Sequence, residues 1–502
     1  MRSILILIIT IFFSHECIFS VTKKSKEIKK IISLLEIGQF REVDNLIKVI
    51  INNDDKKYVT ALYYFYKGDY DNALEELRNF KSHNSDSLDL VLYLEKLRFY
   101  KNKFEEYKFK HFNVRISDDD SILKYYLEEN LDKIFYSVGK IFNYFPEDKV
   151  LIEIYQNKED FAFASTLGDE AVKRSGAIAI CKFNRIMTTS PQSLPYGYRW
   201  IDTICHEYIH FVLNRITCGK CPLWLHEGIA KYYETSWRSN KPLYLTPGNE
   251  TILSKSVKEN RLIPFSRMHP SLVYLKDQDE VGLAFAELAT AVEYINTEYP
   301  NKLQLLLYTM SKKTVEKSFK TVFNFDTNKF EQNWMNYIKK MDLKEHSGAI
   351  TDKVYWEKKD EIDEFVGVNS RDHLRLGDKF RDKNNYESAI IQYEKALNIE
   401  PYNPVVLIRI AKLYFEKGKI EDSIEKLKLC IDKNPGFVSS YEILGEYYLK
   451  LGEFEKSVKV LNEAIEINPF NPYTHRNLSK AYQKLNNYEL SQQELFISEK
   501  IF

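Results

Sequence analysis

Between about Lys23 and Lys108, apolar residues recur three and four positions apart and nothing alternates like a strand, so the spacing predicts a run of amphipathic helices. Two segments, Leu35-Glu-Ile-Gly-Gln-Phe40 and Tyr66-Lys-Gly-Asp-Tyr70-Asp-Asn-Ala73, each set a glycine two residues before an aromatic, as helix-turn-helix repeats do at their corners. The interval between them is irregular, which makes residues 21–108 a degenerate helical repeat. After Lys110 the period changes. Phe112-Asn-Val-Arg-Ile116 alternates like a strand, an amphipathic helix runs from about Ser121 to Tyr144, and Pro146 ends it. Val150 to Tyr155, Phe161 to Ser165 and Ala177 to Met187 read as further strands, giving a small mixed sheet ahead of the next helical segment.

Residues 346–369 are rich in charge and poor in aliphatic residues, and read as a linker. Beyond them the pattern repeats. Pro401, Pro435 and Pro469 recur at one fixed interval, and Gly377, Ala411, Gly445 and Ser479 fall in the same frame. So do Phe380, Tyr414, Tyr448 and Tyr482, and Ala389, Ser423, Ser457 and Ser491. Small residues let two helices approach, aromatics fill the space between them, and prolines stop the second helix of each pair. Residues 370–502 thus resemble tetratricopeptide repeats, with three full units and a fourth lacking its final proline. The resemblance implies an all-α solenoid whose concave face holds a peptide or protein partner.

Cys205-His-Glu-Tyr-Ile-His-Phe-Val-Leu213 has helical periodicity, which stands His206 and His210 one turn apart on one face. Both imidazoles can reach a single ion at the roughly 2.0–2.1 Å of a zinc–nitrogen bond. Glu207 is offset around the helix, where its carboxylate can take a proton from a water acidified by that ion. The spacing alone leaves open an ordinary surface helix or a structural zinc, so a third donor has to decide. Pro222-Leu-Trp-Leu-His-Glu-Gly-Ile-Ala-Lys-Tyr-Tyr-Glu234 predicts a second amphipathic helix, and the short intervening loop can return Glu227 to the two histidines. Three protein donors leave one coordination place open, as in catalytic rather than structural zinc sites. Gly228 and Ala230 are small, as needed where two helices pack closely.

His206-Glu207-x-x-His210 followed by Trp224-Leu-x-Glu227-Gly228-x-Ala230 resembles the gluzincin metallopeptidases, and within them the peptidase MA-like branch, over residues 109–345. The resemblance implies His206, His210 and Glu227 as zinc ligands and Glu207 as general base. It also implies that the strand around Ala177 to Met187 borders the cleft, where an extended substrate adds to its edge. Two departures stand out. Lys231 occupies the position where thermolysin-like members carry a histidine-orienting carboxylate, leaving Glu234 and Asp202 as candidates for that role. Phe285 stands where related sequences often have tyrosine, leaving Tyr294 and His226 as candidate donors to a developing oxyanion. Cys218-Gly-Lys-Cys221, between the two helices, reads as a small disulfide or two inert thiols, and Cys205 and Cys430 as core.

Charge removes some partners. Lys plus Arg and Asp plus Glu number 72 each, so the chain lacks the basic excess of a nucleic-acid binder. With 44% apolar and 29% charged residues it reads as folded. Arg2 followed by the apolar run Ile4 to Phe13 reads as a signal peptide over residues 1–20, too short to span a bilayer of about 30 Å. That predicts a periplasmic or secreted protein without an integral span, an uncleaved anchor being the alternative. The expected fold class is α+β: a gluzincin-like domain with a small mixed sheet and zinc-binding helices, between an N-terminal helical region and a C-terminal solenoid. The expected function is zinc-dependent hydrolysis of peptide bonds in a peptide or protein substrate, with the repeats recruiting substrate or partner. Peptidoglycan amide hydrolysis is a variant of the same chemistry. A repeat scaffold with a vestigial metallopeptidase domain is the alternative from another class.

Overall fold

The computed structural model describes residues 26–78 and 85–501. The predicted signal peptide and Cys17 lie outside them. Five helices come first: α1 (Lys26–Glu36), α2 (Phe40–Val49), α3 (Asn53–Tyr66), α4 (Tyr70–Arg78) and α5 (Ser85–Lys101). Gly38 and Gly68 take φ of 70° and 73° at the α1/α2 and α3/α4 corners, a left-handed conformation that glycine adopts without steric cost.

A five-stranded mixed sheet follows, formed by β1 (Phe104–Lys108), β2 (Phe112–Ser117), β3 (Val150–Tyr155), β4 (Ala179–Lys182) and β5 (Arg185–Thr189) in the order β1-β2-β3-β5-β4. The central pairs β2/β3 and β3/β5 are parallel, and the edge strands β1 and β4 run antiparallel to their neighbours. The strands are linked by α6 (Lys124–Phe142), α7 (Lys158–Ser165) and α8 (Asp169–Ser175).

Three expectations are corrected here. Phe104–Lys108, read as helical, is an edge strand. Phe161–Ser165, read as a strand, is the end of α7, whose N-cap Asn157 accepts from the Asp160 N–H and whose first turn carries Glu159 and Asp160. Ala177–Met187, read as one strand, is the hairpin β4/β5, turned by Phe183 and Asn184 at φ of 54° and 58°. The long helix ends close to the expected point, at Asn143 in the left-handed region, three residues before Pro146.

Next come α9 (Trp200–Ile216), α10 (Leu223–Tyr233), α11 (Pro247–Lys258), α12 (Phe265–Met268), α13 (Gln278–Glu298), α14 (Lys302–Lys312), α15 (Val315–Phe323) and α16 (Thr327–Ile338). One hydrophobic core joins the face of the sheet under α6 to α9, α10 and α13–α16, with Trp200 and Trp334 fully enclosed. A second core joins the N-terminal helices to the other side of the sheet through Tyr155, Phe161, Phe183 and Met187.

The chain closes with α17 (Glu361–Phe365) and four antiparallel pairs: α18 (Val368–Asp382) with α19 (Tyr386–Ile399), α20 (Pro404–Glu416) with α21 (Ile420–Lys433), α22 (Val438–Lys450) with α23 (Phe454–Ile465), and α24 (Pro472–Lys484) with α25 (Tyr488–Ile501). The small residues of the repeat do the expected packing. A Cβ on Gly377 would lie 2.4 Å from the Tyr393 ring, and one on Gly445 2.4 Å from Leu461. Cys430 is buried in this core and Cys205 in that of the preceding domain. No helix among the described residues is long and apolar enough to cross a membrane.

Candidate metal centre

The site is built on α9 and α10. In α9, His206, Glu207 and His210 are all buried. In α10, Trp224 lies one turn before Glu227 and anchors the helix by stacking on Phe265, with ring centroids 4.4 Å apart, and on Phe330 at 5.3 Å. Gly228 lets α10 lie directly on α13, because a Cβ there would fall 2.5 Å from the Leu288 carbonyl oxygen and 3.2 Å from Val292. Gly228→Ala is therefore expected to force the helices apart and cost about 1–3 kcal/mol, measured as a shift in the denaturation midpoint.

The two helices bring three donors together. Glu227 Oε2 lies 3.5 Å from His206 Nε2 and 3.3 Å from His210 Nε2, and the donor atoms of all three residues lie within 4.8 Å of one another. Two ligand atoms at roughly 2.0–2.1 Å from one ion, in tetrahedral arrangement, sit about 3.3–3.4 Å apart, so the two Glu227–histidine separations fit a shared cation. The two imidazole rings are nearly perpendicular, at 83°. Burial works against a charge on Glu227, but the His210 and His206 rings hold its carboxyl well below the usual carboxylate range. Glu207 Oε2 is buried without a hydrogen-bond partner among the described residues, and so is His210 Nδ1, the ring nitrogen on the side away from Glu227. Burial also raises the Glu207 carboxyl, while the nearby His210 and His206 and the Cys181 backbone N–H, which donates to it, act in the opposite direction.

The residues around these four sort themselves by contact. Glu234 Oε2 lies 3.0 Å from His206 Nδ1, and its other oxygen accepts from Lys231 Nζ at 2.6 Å. Glu234 follows Glu227 by seven residues, two turns on the same face. Asp202 is engaged elsewhere, accepting from Trp237 Nε1 at 2.8 Å and from Arg238 Nε and Nη2 at 2.8 and 2.6 Å. Phe285 presents its edge to the His206 ring at 5.9 Å. His226 stacks on His210 at 4.5 Å and lies 3.2 Å from Asn214 Oδ1. Tyr294 sits in an aromatic cluster with Tyr299, Phe330 and Tyr337, its hydroxyl 3.2 Å from that of Tyr299, and does not line the cavity. Cys218 and Cys221 are both free thiols, the first exposed and the second buried.

The donors open into a cavity of about 1230 Å³ that is walled by more than the two metal-motif helices. Strand β4 forms one side, α1 contributes Ser33 and Glu36, and the corner between α21 and α22 contributes Pro435, Phe437 and Ser439. The repeats are fixed there by the start of α9, where backbone N–H groups have no partners within the helix, and by the residues just before it. The Trp200 N–H donates to the Glu466 carbonyl at 3.3 Å and the Tyr198 N–H to that of Ile467 at 2.9 Å, while the Trp200 indole donates to the Ile465 carbonyl at 3.2 Å. The C-terminal end of α23 thus meets the N-terminal end of α9, an arrangement the two helix dipoles favour. Arg199 seals the joint by donating to Glu463 and Glu466 at 3.1 Å each, to the Pro435 carbonyl at 3.1 Å and to the Tyr441 hydroxyl at 3.0 Å. None of these contacts was read from the sequence. Backbone carbonyls leave no side-chain signature, and Arg199 followed by Trp200 ahead of the motif helix was the one available signal.

The family model described as Peptidase MA superfamily matches residues 142–340, and the one described as TPR repeat matches residues 377–418 and 445–486. Solved structures similar to the chain include MamA, with 20% identity over 26% of this chain and 78% of that one, and a TM-score of 0.25. The first TPR of Spaghetti bound to an HSP90 peptide is 25% identical over 24% of this chain and 97% of its own, with a TM-score of 0.23. A thermophilic TPR protein of Thermus thermophilus is 24% identical over 26% of this chain and 72% of its own, with a TM-score of 0.24. No curated protein matches the chain. The chain therefore carries a Peptidase MA superfamily domain over residues 142–340, followed by TPR repeats.

Proposed function

We propose that this chain is an exported zinc-dependent metallopeptidase that hydrolyses peptide bonds, with repeats that engage its substrate or a protein partner. The observation that carries the reading is the convergence of His206, His210 and Glu227 within 4.8 Å, with the buried carboxylate of Glu207 on the next residue to one of them. His206, His210 and Glu227 would hold the ion, which when bound supplies a Lewis acid for the scissile carbonyl and acidifies water in the site. Glu207 takes the proton of the attacking water and returns it to the leaving amine nitrogen. Its burial raises the carboxyl, which makes it a stronger acceptor for that proton. His226, held neutral because burial and the neighbouring His210 push its pKa down, buttresses the His210 ring.

Glu234 takes the orienting role in this proposal, since its carboxylate fixes His206 with Nδ1 as the outward nitrogen and leaves Nε2 for the ion. Glu234→Ala is expected to weaken zinc binding by about 10- to 100-fold, measured by competition with a chromophoric chelator. Asp202→Asn should leave that affinity within about twofold, because Asp202 contacts no proposed ligand. The reading as a whole is tested by metal analysis of the purified protein and by cleavage of an unfolded protein before and after chelation. Zinc near one equivalent, with cleavage lost on chelation and restored by zinc, is expected; protein purified without zinc and unable to take it up would end the proposal.

A further inference from the structure

The repeats of this chain do not extend from the peptidase domain as a free arm. The end-to-end contact of α23 with α9 and the four hydrogen bonds of Arg199 hold them on the helix that carries His206 and His210. A second tether reinforces the first. The Ile350 N–H donates to Asn434 Oδ1 at 2.9 Å, and Asn434 Nδ2 donates to the Tyr402 carbonyl at 2.8 Å, so the chain entering the repeats is pinned to the same corner. Gly197 makes the approach possible, since a Cβ there would lie 2.4 Å from the Ile467 carbonyl oxygen. The corner between α21 and α22 therefore faces the three donors across one continuous cavity.

We infer that this corner, centred on Gly436 and Ser439, is a substrate-contacting wall of the cleft, and that the segment it accepts is an extended, unfolded polypeptide. The inference rests on the metallopeptidase reading for the location of the reacting bond. The size of the cavity supports it, since about 1230 Å³ exceeds the roughly 300–1,000 Å³ of small-molecule sites. Shape supports it too. Strand β4 lines the same cavity; among the described residues it pairs with β5 alone, so its other edge carries backbone groups outside the ladder, of which the Cys181 N–H donates to Glu207. An extended chain can pair with the rest of that edge and span to the corner. Gly436 is exposed at the corner with open space where a side chain would be, and Ser439 is half-buried on the first turn of α22.

The test uses the full chain carrying Glu207→Gln, so that peptide is bound and not consumed. A photo-crosslinking benzoylphenylalanine replaces Ser439 in one variant and Gly436 in a second, the latter guarding against misfolding at the half-buried position. A third variant carries it at Lys428, exposed on α21, as the control. Each is irradiated with a fluorescein-labelled decapeptide library. Crosslinking at 439 or 436, suppressed by unlabelled decapeptide and missing at 428, is expected. Peptide binding detected by fluorescence anisotropy with no crosslink at either corner position would overturn the inference alone. Crosslinking at the corner by a protein whose wild type cleaves no peptide would uphold the wall and defeat the metallopeptidase reading. Neither binding nor cleavage would defeat both.

Discussion

Glu207→Gln is expected to abolish measurable peptide hydrolysis, with a loss of about 10²- to 10⁴-fold in kcat, while zinc content stays near that of the wild type. The substitution removes the proposed proton acceptor but none of the three converging donors, because Glu207 is not among the residues whose ligand atoms cluster. Glutamine is nearly the same size, so the buried packing around the site is kept. His206→Ala and Glu227→Ala should instead lose the ion and the activity together, since three protein donors leave no spare ligand. The comparison is made by metal analysis and turnover of an unfolded protein on the same preparations. Turnover by Glu207→Gln equal to wild type would reject the base; retention of a full equivalent of zinc by Glu227→Ala would reject the third ligand.

The second large effect lies away from the site, beneath the N-terminal helices. Glu153 on β3 is buried with both arginines that face it. Its Oε1 lies 3.0 Å from Arg115 Nη1 and its Oε2 3.6 Å from Arg185 Nη1. The Tyr70 hydroxyl donates to it at 2.8 Å and the Tyr155 hydroxyl at 3.0 Å. Burial opposes its charge, yet the Arg185 and Arg115 guanidiniums hold it below the usual carboxylate range. The arginines in turn donate to the Phe65 and Gly68 carbonyls, at 2.8 and 2.9 Å, which end α3 and form its corner with α4. Glu153→Ala leaves two guanidiniums in the interior without their shared counter-ion. It is expected to destabilise the protein by about 3–5 kcal/mol, seen as a lower urea midpoint and as early proteolysis within residues 26–101. Tyr70→Phe keeps the counter-ion but removes the hydroxyl that donates to the carboxylate and accepts from Arg185 Nη1, and is expected to cost about 1.5–3 kcal/mol.

What could be read from the sequence was what depends on spacing within one helix or on repetition. His206 and His210 are one turn apart, so their shared face follows from helical geometry alone. The repeat positions around Gly377, Ala411 and Gly445 recur in one frame, so the helix pairs follow as well. The misread pieces are those for which two local patterns agree. Phe161-Ala-Phe-Ala alternates large and small residues as a strand does, but Asn157 caps a helix ahead of it. Phe104-Glu-Glu-Tyr-Lys shows little alternation because β1 is an edge strand with one neighbour and mostly exposed side chains. The hairpin between β4 and β5 escaped because Phe183 is an unusual residue at positive φ, so the strong turn signal of a glycine was missing. Glu234 was one of two candidates to orient a histidine, and only the packing of α9 on α10 shows it beside His206 while Asp202 faces Arg238.

Trp200 has a practical corollary for anyone cutting this chain into pieces. Its indole is enclosed at 2% exposure, and among the described residues its N–H donates to a carbonyl supplied from residue 465. A fragment ending near residue 345 would leave that ring, the Arg199 guanidinium and the open start of the motif helix in water. Excision at the boundary that the sequence advertises would thus damage the very segment it was meant to isolate, and residues 26–501 are best handled as one piece.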